Sequence, residues 1–497
     1  MSTLRVVKDP PLPLAGVLER SAALAQRLER AAGLGPGDRI VAALENSGTH
    51  VELVAAAWRL GLEFIAVPPT ASALTFSGIL ASAAPQAALI DTRNERLAGA
   101  LRDWTDARQA LGGVTLGARD AKPARKRARR PDGTSDDWRE WLTQLPDAVF
   151  YTSGSTSSAK GVPLAWRQIL EKARTVLGFY GVEPDDRVMP ILPLSHVYGL
   201  YWLMGAFALG ADCIVCAESS SPAAIAAGLA EQAATVVACP PIVGAFLFGR
   251  HGCDPAVRER LRVLTMGGAA TTPEQAKRIL AALPRTRVFL SYGLAETYST
   301  VCCNEASRPG ADLASVGPFR FSAFGEARDP ASGRAVAAGE TGELCIGGTI
   351  MRGYVGTHDE AFTADGLFRT GDLVRMDAEG NVTITGRLKE MINAGGLSIY
   401  PAEIEDVLKQ HPAVADCGVF GEKVGELEVA CAAVVLRNPA TQDELFDYCR
   451  TRLAVKMVPR RIVIVPSIPR GALGKIARAE LRALVVTCSL PLSSSAA

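Results

Sequence analysis

The sequence predicts an α/β protein. A large N-terminal domain of two α/β subdomains and a small β-rich subdomain is followed by a small α+β C-terminal domain. Three observations carry this reading. Ala- and Leu-rich helical stretches alternate with short apolar runs from about residue 14 to about residue 280. After about residue 311 the texture turns to short strands spaced by glycine, and from residue 388 a shorter stretch mixes both patterns. The resulting boundaries are 1–387 and 388–497.

The first helix is read in "LAGVLERSAALAQRLERAAGLG". The runs "RIVAAL", "QAALID", "DAVFYT", "DRVMPIL", "DCIVCA" and "RVLTMG" have the length and apolar continuity of buried parallel strands. "AATVVACPPIVGAFLFG" is broken by Pro240 and Pro241, so it reads as a strand turning into a helix. It also falls short of the ~20 residues a membrane span needs. The uncharged stretch 188–211 is long enough, but Pro190, Pro193, Ser195 and His196 interrupt it. "GELCIGG" and "GNVTITGR" mark the β-rich part. Further on, Pro401 opens "PAEIEDVLKQH", with Ile404, Val407 and Leu408 at helical spacing. Thr441 and Glu444 form a capping-box pattern ahead of "LFDYCRTRLAVK". The tail "SLPLSSSAA" is expected to be disordered.

At 497 residues, 48% apolar and 21% charged, the composition is that of a folded globular protein of more than one domain. A formal net charge of +1 gives no global field for nucleic acid or an anionic membrane. The basic run "KPARKRARR" (122–130) has no interleaved aromatics and reads as a solvated loop. Among the 11 cysteines, Cys213 and Cys216 form a C-x-x-C pair on a strand, where positions three apart face opposite sides. The first residues carry no apolar signal-peptide core, so the thiols are expected to be reduced in a cytoplasm.

The stretch "YTSGSTSSAKGVPL" (151–164) concentrates six Ser and Thr hydroxyls, two glycines and one lysine. It is not a Walker A loop, because Ala159 and Gly161 stand where that pattern needs Gly and Ser or Thr. A strand that ends in such a loop can still aim backbone N–H groups and hydroxyls at one anion, with Lys160 adding charge. A Ser/Gly-rich linker is the alternative, but this loop is clamped between an apolar strand and a helical stretch.

Four more motifs follow in order: "SYGLAET" (291–297), "FRTGDLVRMDAEGNVTITGR" (368–387), "LKEMINAGGLSIYPAEIE" (388–405) and "IPRGALGKIAR" (468–478). With the first loop, their order and spacing resemble the adenylate-forming (AMP-binding) superfamily of acyl-CoA synthetases, adenylation domains and luciferases. The resemblance spans nearly the whole chain, and the motif style is nearest to acid–CoA ligases. It implies a two-step reaction. A carboxylate attacks the α-phosphate of ATP, with Mg²⁺, to give an acyl-adenylate and pyrophosphate; a pantetheine thiol then displaces AMP to give a thioester.

The resemblance also implies roles. Thr152, Ser153, Gly154, Ser155, Thr156 and Lys160 would cradle the phosphates, with Lys160 mobile. Tyr292, followed by Gly293, would offer its face to adenine, although a core tyrosine is the plain alternative. Glu296 would hold Mg²⁺ through oxygen. Asp372 would accept from both ribose hydroxyls with Arg387 near the same sugar; alone, Asp372 could be a turn residue after Gly371. Lys475 would bridge the attacking carboxylate and the α-phosphate, and the mobile C-terminal domain would pivot at Lys389. Gly395 and Gly396 would line the pantetheine channel of CoA or of a carrier protein.

In "LPLSHVYGLYW", His196 is either a positioning residue beside the acyl pocket, with Tyr198, or a hydrogen-bonded core residue. By the same resemblance, Gly267, Gly268 and Ala269 would form a pocket wall small enough for a flat or extended acyl group. There are departures. Ser157 and Ala159 replace a common Gly and Pro, and Ala295 replaces a threonine that commonly touches the α-phosphate, a contact Thr297 or the loop hydroxyls could supply. No acidic residue is assignable to gripping an α-amino group, which favours an aryl or aliphatic acid over an amino acid. Three readings stand: an acid–CoA ligase, a stand-alone enzyme loading a carrier protein in trans, and a nucleotide sensor without chemistry. None involves nucleic acid or a membrane span.

Overall fold

The computed structural model describes residues 2–7, 9–111, 113–119, 137–152, 160–216, 221–250, 254–356, 361–393, 398–424, 427–470 and 475–489. The basic run 122–130 and the tail from residue 490 lie outside them. The chain forms two compact units. One comprises Met1–Leu313, Phe319–Ala323 and Gly348–Ala361; the other comprises Ala314–Pro318, Phe324–Gly347 and Phe362–Ala497.

The first unit holds two sheets. In the seven-stranded sheet, Ala87–Asp91, Arg39–Ala43, Glu63–Ala66 and Ala148–Thr152 run parallel. Each edge is closed by antiparallel pairing, with Val114–Ala118 and Arg108–Leu111 on one side and Lys160–Leu164 on the other. The helices Ala73–Ala83 and Glu95–Trp104 put Phe76, Ile79, Leu80, Leu97 and Leu101 onto Val41, Ile65 and Ile90. Buried β-branched and Leu side chains of this kind contribute roughly 1.5–3 kcal/mol each.

In the eight-stranded sheet, six parallel strands run in the order Arg287–Leu294, Val263–Met266, Val236–Cys239, Arg187–Pro190, Asp212–Val215 and Thr3–Val6. The sequence reading omitted Thr3–Val6, which is only four residues long. Its edge is fixed by charge, with Arg5 Nε 2.8 Å from an Asp212 carboxylate oxygen and the Thr3 N–H donating to the other. As read from the prolines, "ATVVAC" is a strand, Pro241–Gly244 turns into a helix, and a π-helical stretch Ala245–Arg250 follows. Among the described residues no helix is long and apolar enough to cross a membrane.

The second unit contains a four-stranded sheet, in the order Ala323–Arg328, Thr341–Gly348, Phe368–Met376 and Val382–Arg387. Beyond it, Val414–Val424, Leu427–Leu436 and Arg461–Ile464 form a three-stranded sheet with the helices Pro401–Lys409, Gln442–Arg450 and Arg478–Ser489. Ile404, Leu408, Val419, Leu445 and Ile462 share its core. The capping box read from sequence is present: Thr441 accepts from the Glu444 N–H, and the Glu444 carboxylate accepts from the Thr441 N–H.

Candidate active site

The strands that flank the hydroxyl-rich stretch, Ala148–Thr152 and Lys160–Leu164, pair antiparallel. Thr152 pairs with Lys160 and Tyr151 with Gly161, so the chain returns as an edge strand before the helix Trp166–Tyr180 begins. Pro163 is tolerated there because an edge strand need not donate on both sides. Ser153, Gly154, Ser155 and Thr156 lie outside the described residues, as do Gly395 and Gly396. The exposed Lys160 places its Nζ 4.5 Å from the centroid of the Tyr354 ring. The Tyr354 hydroxyl donates to Glu296 Oε1 at 2.7 Å. Two backbone bonds flank this contact, Met351 N–H to Glu296 O at 2.7 Å and Val355 N–H to Gly161 O at 2.9 Å.

Glu296 sits in a single 3-10 turn, Ala295–Thr297, between the antiparallel strands Arg287–Leu294 and Ser299–Glu305. The turn is tight. Tyr298 and Ser299 have φ of 55° and 84°, and a Cβ on Gly293 would lie 1.9 Å from the Ser299 carbonyl oxygen. No side chain fits at Gly293. Thr297 is fully buried, and its hydroxyl accepts from the Leu294 N–H and donates to the Ser299 carbonyl. The structure therefore gives Thr297 the turn to hold. Tyr292 is half-exposed at the bulge that precedes this turn, where the strand register shifts.

Tyr198, in the first turn of the helix Val197–Leu209, meets Ser291 of the strand Arg287–Leu294 and Gly267, which follows the neighbouring strand Val263–Met266. The Tyr198 and Ser291 hydroxyls are 3.5 Å apart, and Ser291 donates to the Met266 carbonyl at 3.0 Å. A Cβ on Gly267 would come within 2.6 Å of Ser291 Oγ and 2.8 Å of Tyr198 Oη. Burial pushes the Tyr198 phenol up to about 12, so it acts here as a neutral hydroxyl. The half-buried Gly268, at φ 84°, and Ala269 carry the chain away from this point.

His196 is the N-cap residue of the helix Val197–Leu209 and is half-buried. The segment that delivers it is clamped by Asn46, a residue the sequence reading missed. Asn46 Nδ2 donates to the Leu192 carbonyl at 2.9 Å, and its Oδ1 accepts from the Leu194 N–H at 2.8 Å. Only an amide offers both a donor and an acceptor in that geometry.

In the second unit, Asp372 and Arg387 are cross-strand partners, joined at 2.7 Å between Arg387 Nε and Asp372 Oδ1. Asp372 is buried and follows Gly371, whose φ of 69° lets the strand turn into it. Its own N–H donates to the Thr370 hydroxyl. Lys389 is exposed in the 3-10 turn Leu388–Glu390. Lys475 is exposed next to a bridge between Arg470 and Ile476, and Arg470 is held by both oxygens of Asp416 at 2.8 Å. Arg478 pairs with Glu390 at 2.8 Å and with Glu405 at 2.6 Å.

The donor set around Glu296 suits Mg²⁺. Among the described residues no cluster of three or more possible metal ligands forms, whereas Glu296 offers one carboxylate oriented by a hydroxyl. Mg²⁺ characteristically takes one or two carboxylates and completes its shell with phosphates and water.

Residues 15–355 match the family model described as AMP-binding enzyme, and residues 403–475 match its C-terminal domain model. Feruloyl-CoA synthase of Amycolatopsis sp is 28% identical over 486 residues, which is 95% of this chain and 93% of that protein. The 2-succinylbenzoate–CoA ligase of Bacillus subtilis (strain 168) is 31% identical over 340 residues, 67% of this chain and 68% of that one. In fold, the chain matches the solved O-succinylbenzoate coenzyme A synthetase of Bacillus subtilis in complex with ATP and magnesium ion. That match has a TM-score of 0.78 at 24% identity and covers 97% of each chain. The motifs in their order, the α/β architecture and the matched family models lead to one conclusion: the chain belongs to the AMP-binding enzyme family.

Proposed function

We propose that this chain is an AMP-forming acid–CoA ligase that activates an aryl or aliphatic carboxylic acid. The observation that carries the reading is the joining of Lys160 and Glu296 through Tyr354. One arrangement thus presents a cation for phosphate and a carboxylate for the accompanying metal. The relatives support the acceptor and the acid, since both are CoA ligases and both are named for aromatic acids. The half-buried Tyr198 and the close approach at Gly267 support a flat acyl group.

In the first step a carboxylate oxygen bonds to the α-phosphorus of ATP and pyrophosphate leaves. Thr152, the hydroxyl loop and Lys160 bind the phosphates, Tyr292 stacks on adenine, and Asp372 with Arg387 holds the ribose. Glu296 would hold Mg²⁺, whose charge would offset that of the phosphates. Lys475 stabilises the charge that builds up during the attack. In the second step the thiol sulfur attacks the acyl carbon, AMP departs with the bonding electrons, and the thiol proton passes to solvent. Lys389 is the pivot that withdraws Lys475 between the steps, and Gly395 and Gly396 line the pantetheine path. Soluble CoA and a reduced cytoplasm fit the buried thiols, such as Cys213 and Cys239.

The test is exchange of labelled pyrophosphate into ATP with a panel of carboxylic acids, then addition of CoA. Acid-dependent exchange followed by AMP and thioester formation is expected. ATP binding with no acid stimulating exchange would refute the enzymatic reading. Exchange without transfer to CoA would favour a carrier protein as acceptor.

A further inference from the structure

Tyr354 belongs to none of the motifs that mark the reaction, yet it touches two of the residues they supply. It lies 58 positions from Glu296 in sequence, and its hydroxyl donates to Glu296 Oε1 at 2.7 Å. The face of the same ring lies 4.5 Å from Lys160 Nζ. Its place is fixed from both sides, by Met351 N–H on the Glu296 carbonyl and Val355 N–H on the Gly161 carbonyl. Crowding at Gly161 adds to this. A Cβ there would lie 3.1 Å from Val149, 3.2 Å from Tyr151 and 3.2 Å from Val355, so the hairpin and the segment 351–355 are packed edge to edge. The ring thus stands between a carboxylate and an ammonium, with a different part serving each.

We propose that Tyr354 is a positioning residue that orients the Glu296 carboxylate for Mg²⁺ through its hydroxyl and holds Lys160 through its ring. The inference rests on the nucleotide-binding reading above. The physical argument separates the two roles. A hydroxyl bonded to one carboxylate oxygen fixes the rotamer of the group, so that the metal meets an oriented ligand. The ring offers Lys160 a weak attraction of a kind that triphosphate easily outcompetes, which keeps the lysine near its post without trapping it.

Conservative variants test the two parts separately, by equilibrium ATP binding in the full chain without acid, so that no turnover is required. Calorimetry with Mg²⁺ titrated in, and again in excess EDTA, gives the metal dependence. Tyr354→Phe keeps the ring and should raise the Mg²⁺ concentration for half-maximal effect by about tenfold, the usual consequence of losing an outer-shell partner. ATP affinity in EDTA should stay within about twofold. Tyr354→Leu removes the ring as well and should also weaken binding in EDTA several-fold. Melting curves of both variants establish that they are folded. Wild-type Mg²⁺ dependence in a folded Tyr354→Phe would overturn the proposal, and so would an equal loss with and without Mg²⁺. Wild-type protein that binds no ATP under either condition would instead sink the nucleotide reading, and this inference with it.

Discussion

Asn46 is the point where stability and substrate positioning should fail together. Replacing it with alanine deletes the donor to the Leu192 carbonyl and the acceptor for the Leu194 N–H. Both leucines are essentially fully buried and Asn46 is 4% exposed, so water cannot substitute. A buried backbone group left unpaired costs about 1–3 kcal/mol, so the pair amounts to roughly 2–6 kcal/mol. Urea unfolding should show a lowered midpoint without a large change in slope, the shift multiplied by the slope giving a loss of that size. Asn46→Asp should be no better, because its second oxygen would face the Leu192 carbonyl instead of donating to it. Beside the clamp the segment is tied locally through its backbone, as by the His196 N–H to the Pro193 carbonyl. Loss of the clamp should therefore also raise the KM for the acid in pyrophosphate exchange, while the KM for ATP changes little. A stability change under about 0.5 kcal/mol with both KM values unchanged would refute the clamp.

Three further outcomes are expected. Lys475→Ala should lose ~10²–10³ in adenylation rate, the usual cost of one contact to developing charge, while still converting a supplied acyl-adenylate to thioester; equal loss in both steps would make Lys475 structural. Lys389→Pro fixes φ near about −65° and should spare pyrophosphate exchange while slowing thioester formation; a parallel fall of both rates with the melting temperature would refute the pivot. Lys172 is buried with its ammonium donating to the Phe321 carbonyl, and burial holds its pKa down at about 8 against an ordinary 10.5. The unfolded chain therefore binds this proton more tightly, which penalises folding fully below pH 8 and progressively less up to pH 10.5. Lys172→Met should raise stability by roughly 2 kcal/mol at pH 7, with the gain shrinking toward pH 10; a gain that does not depend on pH would overturn this account.

Much of the fold could be read from the chain because apolar runs bounded by glycine and proline leave few alternatives. "RIVAAL" and "QAALID" became neighbouring parallel strands, and the capping box at Thr441 formed as written. The return strand Lys160–Leu164 was hidden because its lysine, glycine and proline belong to a loop vocabulary. Only pairing with Ala148–Thr152 makes it a strand. The site divides along the same line. Glu296, Asp372 and Arg387 lie in contiguous motifs, whereas Asn46, Ser291 and Tyr354 act on backbone or side chains brought near by folding. Ser291 opens "SYGLAET", so its place was visible, but its bond to the Met266 carbonyl was not. Tyr354 and Asn46 carry no local signature at all, since an amide or a phenol becomes informative only once its partner is known.

The two ion pairs around Lys389 bear on how rotation there would be shared out. Arg387 is tied back to Asp372 in the four-stranded sheet, and Glu390 is tied forward to Arg478 at the start of the helix that follows the Lys475 loop. Arg478 is tied in turn to Glu405, which accepts from the Val419 N–H. Between the two anchored charges lie only Leu388 and Lys389. The side chains of the residues on either side are held by these ion pairs, which favours torsion at the two residues between them. The pivot proposed at Lys389 would then behave as a short axle, with the angle between its two ends set by the φ and ψ of two residues. Glu390 and Arg478 would make the far end turn as one piece, carrying the position of Lys475 with it.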